Sequence, residues 1–236
     1  LKNHQNNNLQ NAQNYYQKVL ELDPNHSQTL NNLGAIFLVL GERQKAKSCY
    51  EKIIEIDHNY ADAHNNLGNI LKELGEIEKA KDCYEKAISI NPNYVNAHYN
   101  LGVIFQELGE RQKAKSCYEK VIELNPNFVN AHNNLGNILK ELGEIKKAKD
   151  CYEKAISINP NYVNAHYNLG TIFQELGERQ KAKNCYEKTI EIDHNHADAH
   201  NNLGVILKEL GEIEKAKECY KKAIKIDPDL FSALSN

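Results

Sequence analysis

Residues Ala63–Glu76 read AHNNLGNILKELGE, and residues Lys79–Ile88 read KAKDCYEKAI. After 34 residues the chain repeats both stretches, as AHYNLGVIFQELGE at Ala97–Glu110 and KAKSCYEKVI at Lys113–Ile122. Six copies follow one another without insertions. A strict period of this length predicts a solenoid, in which each unit buries its apolar face only against its neighbours. Such a chain presents an extended surface rather than a single deep pocket.

The repeat register divides the chain into successive units. We expect complete units at residues 27–60, 61–94, 95–128, 129–162, 163–196 and 197–230. Residues 1–26 fit the second part of a preceding unit, and residues 231–236 start a further, truncated one. Two unit types alternate, because units 61–94 and 129–162 differ at only three positions. The surface should therefore vary with a period of 68 residues.

Each unit has the pattern of two helices. In unit 61–94, apolar residues recur at helical spacing up to Leu74, and Gly75 can take the left-handed conformation that ends a helix. A second apolar stripe runs from Ile77 to Ile90, and the sequence Asn-Pro-Asn at 91–93 ends it, because proline disfavours helix in the residue before it. Every unit is predicted to be an antiparallel helix pair, so the fold class is all-α.

Composition excludes several classes of partner. The net charge is −3, so no global basic field draws the chain to nucleic acid or to anionic lipid. We expect no membrane contact either, because no apolar run is long enough to cross a bilayer. The six cysteines occur once per unit, too far apart for disulfides, and free thiols suit a reducing compartment such as the cytoplasm.

The repeated residues resemble the signature of tetratricopeptide repeats (TPRs). In unit 61–94 that signature is carried by Asn66-Leu67-Gly68, Leu74-Gly75, Ala80, Tyr84 and Pro92. The resemblance covers nearly the whole chain and implies a right-handed superhelical solenoid whose first helices line a concave inner face. One departure is that histidine often replaces the early tryptophan of the family, at His64, His98, His132, His166 and His200.

One asparagine never varies on the expected inner face. This asparagine ladder comprises Asn32, Asn66, Asn100, Asn134, Asn168 and Asn202. An amide offers two donors and an acceptor, so it can pair with a peptide backbone without reading side chains. The alternative is that these amides form capping or inter-helix hydrogen bonds, or are solvated polar filler. Other candidate contacts beside the ladder are Asn65, Tyr99, Asn133, Tyr167, Asn201, Lys72, Lys140 and Lys208.

No motif for catalysis, metal or cofactor stands out. The nearest cluster is His194, His196 and His200. A histidine repeated in every first helix but one, together with sequence variation in the preceding loop, explains this cluster more simply than metal binding does. The leading hypothesis is a protein–protein interaction module that holds an extended peptide on the ladder and is not an enzyme. The first alternative is a substrate-recruiting arm of a larger glycosyltransferase or sulfotransferase, since O-linked N-acetylglucosamine transferases carry a similar ladder. The second is a scaffold that self-associates end to end.

Overall fold

The structure, a computed structural model, describes the backbone of residues 2–229 and the side chains of residues 8–229. Within that range it contains thirteen helices and no strand, which confirms the all-α prediction. The helices are α1 Lys2–Leu22, α2 Ser27–Val39, α3 Arg43–Ile56, α4 Ala61–Glu73, α5 Ile77–Ile90, α6 Val95–Glu107, α7 Arg111–Leu124, α8 Val129–Glu141, α9 Ile145–Ile158, α10 Val163–Glu175, α11 Arg179–Ile192, α12 Ala197–Glu209 and α13 Ile213–Ile226. The predicted start of a further unit at residues 231–236 lies outside the described residues.

The helices form two compact units, the first ending at Leu124 and the second beginning at Asn125. In the first unit, α2 packs on α3, α4 on α5 and α6 on α7, and each pair also packs on the next. In the second unit, α8 with α9, α10 with α11 and α12 with α13 repeat this arrangement. Each helix pair therefore buries its apolar stripe against a partner helix and a neighbouring pair, as a solenoid requires. Among the described residues, no helix combines the length and apolarity needed to cross a bilayer.

A glycine in the left-handed region makes each tight turn between paired helices. At the end of α4, Gly75 has φ +78°, which a side chain would disfavour. Its N–H donates to the carbonyl of Lys72 at 3.0 Å, and the N–H of Glu76 donates to the carbonyl of Leu71 at 2.9 Å. These bonds satisfy carbonyls that the end of the helix leaves free. Leu74, which the apolar spacing predicts as a core residue, is 45% exposed because it lies in this turn.

Close packing between the paired helices depends on a second glycine row and on the tyrosines opposite it. A Cβ added to Gly68 would lie 2.7 Å from Cε1 of Tyr84, inside van der Waals contact. Tyr84 is 1% exposed, and Ala80, one turn earlier on the same helix, is fully buried. The missing side chain of the mid-helix glycine therefore leaves room for the buried tyrosine ring. This packing explains why a residue with low helix propensity occurs there.

Candidate functional site

In the first unit, the asparagine ladder belongs to a hydrogen-bond network between neighbouring helix pairs. The Nδ2 amide of Asn100 donates to Oδ1 of Asn65 at 3.1 Å and to Oδ1 of Asn69 at 2.9 Å. The hydroxyl of Tyr84 donates to the same Oδ1 of Asn69 at 2.9 Å. Asn65 in turn donates to Oδ1 of Asn66 at 3.4 Å. Both hydrogens of the Asn100 amide are therefore used within the protein.

The second unit contains the same network independently. Asn168 Nδ2 donates to Oδ1 of Asn133 and to Oδ1 of Asn137, both at 3.0 Å. The hydroxyl of Tyr152 donates to Asn137 Oδ1 at 2.8 Å, and Asn133 donates to Asn134 Oδ1 at 3.3 Å. The same arrangement therefore occurs in both units where asparagine directly follows the Leu-Gly pair of the first helix, at Asn69 and at Asn137.

A different contact joins α10 to α12. The Nδ2 amide of Asn202 donates to the hydroxyl of Tyr167 at 3.3 Å. The ring of Tyr167 lies 5.9 Å from that of Tyr186 and 4.7 Å from the imidazole of His196, measured between centroids. Tyr186 donates its hydroxyl to Oε1 of Gln174 at 2.6 Å rather than to an asparagine. The alternation seen in the sequence thus corresponds in the second unit to two kinds of contact between helix pairs. One is formed by asparagine amides and the other by tyrosines.

The structure places the predicted residues at two depths. All six members of the asparagine ladder are half-buried, as are Tyr99, Tyr167 and Asn201. Asn65 and Asn133 differ, because each is only 4% exposed. They lie beneath the ladder and hold it, instead of lining a groove as the sequence suggested. Sequence reasoning also gave no special role to Asn69 and Asn137, although their occurrence in one unit type only was a visible signal.

Charged residues on the ladder face, the face of the first helices that carries the ladder, are paired between neighbouring helix pairs. Lys72 Nζ lies 2.8 Å from Glu107 Oε1, and Lys140 Nζ lies 2.7 Å from Glu175 Oε1. Lys140 also donates to Oγ1 of Thr171 at 3.0 Å. Exposed pairs of this kind contribute little stability, but they neutralise charge along the face. The third predicted lysine, Lys208, is exposed.

The ladder face of the first unit contains a groove of about 610 Å³. Leu38 supplies its apolar surface, because Ile70 and Tyr84, which also border it, are each only 1% exposed. Its other lining residues are Arg43, Asn69, Lys72, Glu73 and Asn100. Arg43 Nε lies 2.5 Å from Glu73 Oε2, so this cation is paired like Lys72. The groove therefore combines an apolar floor, two amides and balanced charge.

The histidines of the first helices close the preceding loops. The Nε2 atom of His64 lies 3.0 Å from the carbonyl of His58, and that of His200 lies 3.1 Å from the carbonyl of His194. His196 accepts from the N–H of Ala199 at 3.2 Å and so caps α12. The imidazoles of the His194 cluster are thus used in separate structural contacts. Among the described residues, no group of three or more potential ligands could hold a metal ion.

Two of these histidines should make stability depend on pH. Burial is the main cause that lowers the pKa of His64 and of His200 below 6.5, and nearby Lys86 and Lys222 act in the same direction. The unfolded chain therefore binds more protons than the folded one in mild acid. The contribution of these two histidines to stability is complete above pH ~6.5 and decreases as the pH drops below it.

We expect the urea midpoint to decrease between pH 7.5 and 5.5. Replacing both histidines, His64→Gln with His200→Gln, should make this decrease smaller, because glutamine does not titrate. An unchanged slope in the double variant would show that other groups cause the acid sensitivity.

The cysteine thiols are unreactive by environment. None of the six forms a disulfide, and burial raises the pKa of Cys49, Cys83, Cys117 and Cys185 to about 11. A thiol with such a pKa is almost entirely protonated at neutral pH, so it is a poor nucleophile.

Comparison with protein families places repeats along the chain. A model described as "Tetratricopeptide repeat" matches residues 27–60, 95–128, 163–196 and 197–230. Other models of the same repeat match residues 3–26, 49–82 and 117–150, and one described as "TPR repeat" matches residues 68–109 and 136–177. No curated protein matches the chain.

Solved structures with a similar fold are numerous. One is YrrB, titled "a TPR protein with an unusual peptide-binding site", with a TM-score of 0.66 and 29% identity over 79% of this chain and 96% of that one. MamA has a TM-score of 0.64 and 27% identity over 70% of this chain and 97% of its own. PilF of Pseudomonas aeruginosa, at 20% identity, has a TM-score of 0.78 over 88% of this chain and 96% of its own, which is a likeness of fold alone.

Proposed function

The chain belongs to the tetratricopeptide repeat family of protein–protein interaction modules, and we propose that it binds an extended peptide segment along its ladder face. The observation that supports this most is the half-burial of the asparagine ladder in a face whose charges are paired. An amide offers donors and an acceptor, so half-buried amides in a row can pair with the backbone of an extended peptide. Paired charges leave a face that is neutral overall, so a neutral segment suits it.

The spacing of the repeats supports an extended partner. Packed helices lie about 8–10 Å apart, which is close to the length of three residues of extended chain at about 3.3 Å each. Each helix pair could therefore contact three consecutive residues of the peptide. The similar YrrB, whose title names a peptide-binding site, adds support for a peptide as the class of partner.

The experiment selects peptides from a random 12-residue library displayed on phage, with the full chain as bait. The selected peptide is then measured by fluorescence anisotropy against Asn66→Ala with Asn202→Ala. We expect at least ~10-fold weaker binding, equivalent to about 1.4 kcal/mol. The matched control is Ser89→Ala with Ser157→Ala, two exposed positions on second helices that should leave affinity unchanged.

Two results would contradict the proposal. One is that no peptide is selected with the unaltered chain. The other is that the asparagine and serine variants bind the selected peptide equally well, which would place the contact on another face.

A further inference from the structure

The C-terminal half of α13 departs from the charge pattern of the other second helices. Lys222 lies at a position that is lysine in every repeat, and in two earlier repeats this lysine pairs with the glutamate three residues later, at 2.9 Å for Lys120 and 2.8 Å for Lys188. Three residues after Lys222 the chain instead has Lys225, where the five preceding repeats have glutamate or serine. Within the part of the chain that the structure describes, neither Lys222 nor Lys225 has an acidic partner.

The two lysines border a cleft of about 540 Å³ in the second unit, which we call the α13 cleft. Its other lining residues are His194, Asn195, His200 and Ile226, so none of the described lining residues is acidic. His194, Asn195 and both lysines are exposed, whereas His200 is only 3% exposed. The α13 cleft therefore has an accessible, basic rim with a buried imidazole beneath it.

The buried imidazole has one nitrogen that the protein leaves unpaired. Nε2 of His200 lies 3.1 Å from the carbonyl oxygen of His194. Among the described residues, Nδ1 of His200 is a buried atom that has no hydrogen-bond partner. Leaving a buried polar atom unpaired is unfavourable, so this nitrogen points to a ligand that pairs with it.

The protonation state of His200 decides which ligand group suits it. Burial is the main cause that lowers its pKa below 6.5, so the ring is neutral at pH 7.5. In a neutral imidazole one nitrogen donates and the other accepts. Because a carbonyl only accepts, Nε2 carries the hydrogen and Nδ1 is the acceptor. The ligand must therefore offer a hydrogen to Nδ1 and negative charge to the lysines of the rim.

We propose that the α13 cleft binds inorganic phosphate as hydrogenphosphate. Nζ of Lys222 and Nζ of Lys225 donate to its anionic oxygens, and its P–OH group donates to Nδ1 of His200. Because Nδ1 is covered in the free chain, the exposed side chains of the rim turn towards the anion as it enters. No residue of the asparagine ladder takes part, so this site is independent of peptide binding.

The acceptor on His200 makes the site selective among anions of similar shape. Inorganic phosphate keeps at least one P–OH group at pH 7.5. Sulfate is also a tetrahedral anion, but it carries no hydrogen at this pH. A phosphate monoester has lost most of its P–OH hydrogen, because its second pKa is about 6. The α13 cleft should therefore prefer inorganic phosphate to both.

Calorimetry with the full chain at pH 7.5 and fixed ionic strength tests this assignment. Inorganic phosphate, sulfate and phenyl phosphate are titrated separately, and we expect inorganic phosphate to bind at least ~10-fold more tightly than the other two. Lys222→Ser with Lys225→Ser should weaken phosphate binding at least ~10-fold. The control Lys120→Ser with Lys188→Ser removes the same charge from equivalent positions of earlier repeats and should leave the affinity within about two-fold.

Three results would overturn the proposal. If sulfate or phenyl phosphate binds as tightly as inorganic phosphate, the lysines attract any such anion and Nδ1 of His200 takes no part. If the variant of Lys222 and Lys225 keeps its phosphate affinity, the anion binds at another place on the chain. If inorganic phosphate gives no saturable heat, the site does not exist. Thermal unfolding checks that both lysine variants are folded, which the exposure of Lys222 and Lys225 leads us to expect.

Discussion

Replacing Gly136 by valine is expected to destabilise the chain by about 3 kcal/mol, the upper range for overpacking a core. A Cβ at this position would lie 2.5 Å from Cε1 and 2.9 Å from Cδ1 of Tyr152. The ring has no room to move, because Tyr152 is fully buried and its hydroxyl is held by Asn137 at 2.8 Å. The helix pair must therefore separate. Urea unfolding followed by circular dichroism measures the loss.

A second glycine in the same helix pair provides the control. Gly143 has φ +78°, and a Cβ there would meet nothing within 4 Å. Gly143→Ala should cost about 1–2 kcal/mol, from the left-handed conformation alone. The double variant Gly136→Val with Tyr152→Leu also removes the ring. Its loss of stability should be smaller than the sum of the losses of the two single variants. Additive losses would mean that Gly136 and Tyr152 do not compete for the same space.

Helix positions could be predicted from the sequence because local rules determine them. The turn at Gly75 and the end of α5 at Ile90 follow from glycine's conformational freedom and from the proline at 92. The apolar period likewise predicts that Ala80 and Tyr84 are buried. These features depend on residues within one unit, and each unit repeats the same evidence. Six copies therefore predict the fold far better than any one of them.

The depth and partners of the asparagines could not be predicted in the same way. Asn65 and Asn66 are adjacent and chemically identical, yet one is buried and the other half-buried. Their roles are decided by Asn100, which reaches back from the next helix pair. No pattern within a single unit carries that information. The period of 68 residues was the only sequence signal for these contacts. It indicated that the contacts between helix pairs alternate, but not which atoms form them.

Of the two interpretations of the asparagine ladder, hydrogen bonding between helix pairs accounts for the amide hydrogens of Asn100 and Asn168. If the ladder binds a peptide as proposed, these two residues can offer it only their carbonyl oxygens. The two roles are compatible, because a side chain held by the protein loses less conformational entropy when a ligand binds. They also mean that alanine at a ladder position affects folding and binding together.

Asn168→Ala is accordingly expected to destabilise the chain by about 1–3 kcal/mol, the usual cost of a buried polar group that loses its partner. The variant removes the donor that reaches Oδ1 of Asn133, and Asn133 is 4% exposed. Asn137 loses one of its two donors but keeps Tyr152. Urea unfolding should show a lower midpoint without any change in the helical content of the folded state.

A matched variant tests whether burial of the partner is the cause. Asn202 donates to a half-buried tyrosine hydroxyl at 3.3 Å, so Asn202→Ala should cost less than Asn168→Ala. Adding Asn133→Leu to Asn168→Ala removes the buried carbonyl oxygen that has lost its donor, together with the long 3.3 Å bond to Asn134, and should recover part of the loss. If Asn168→Ala unfolds at the same urea midpoint as the unaltered chain, the network does not contribute to the stability of the fold. Loss of peptide binding in Asn168→Ala could then be assigned to the ligand contact alone.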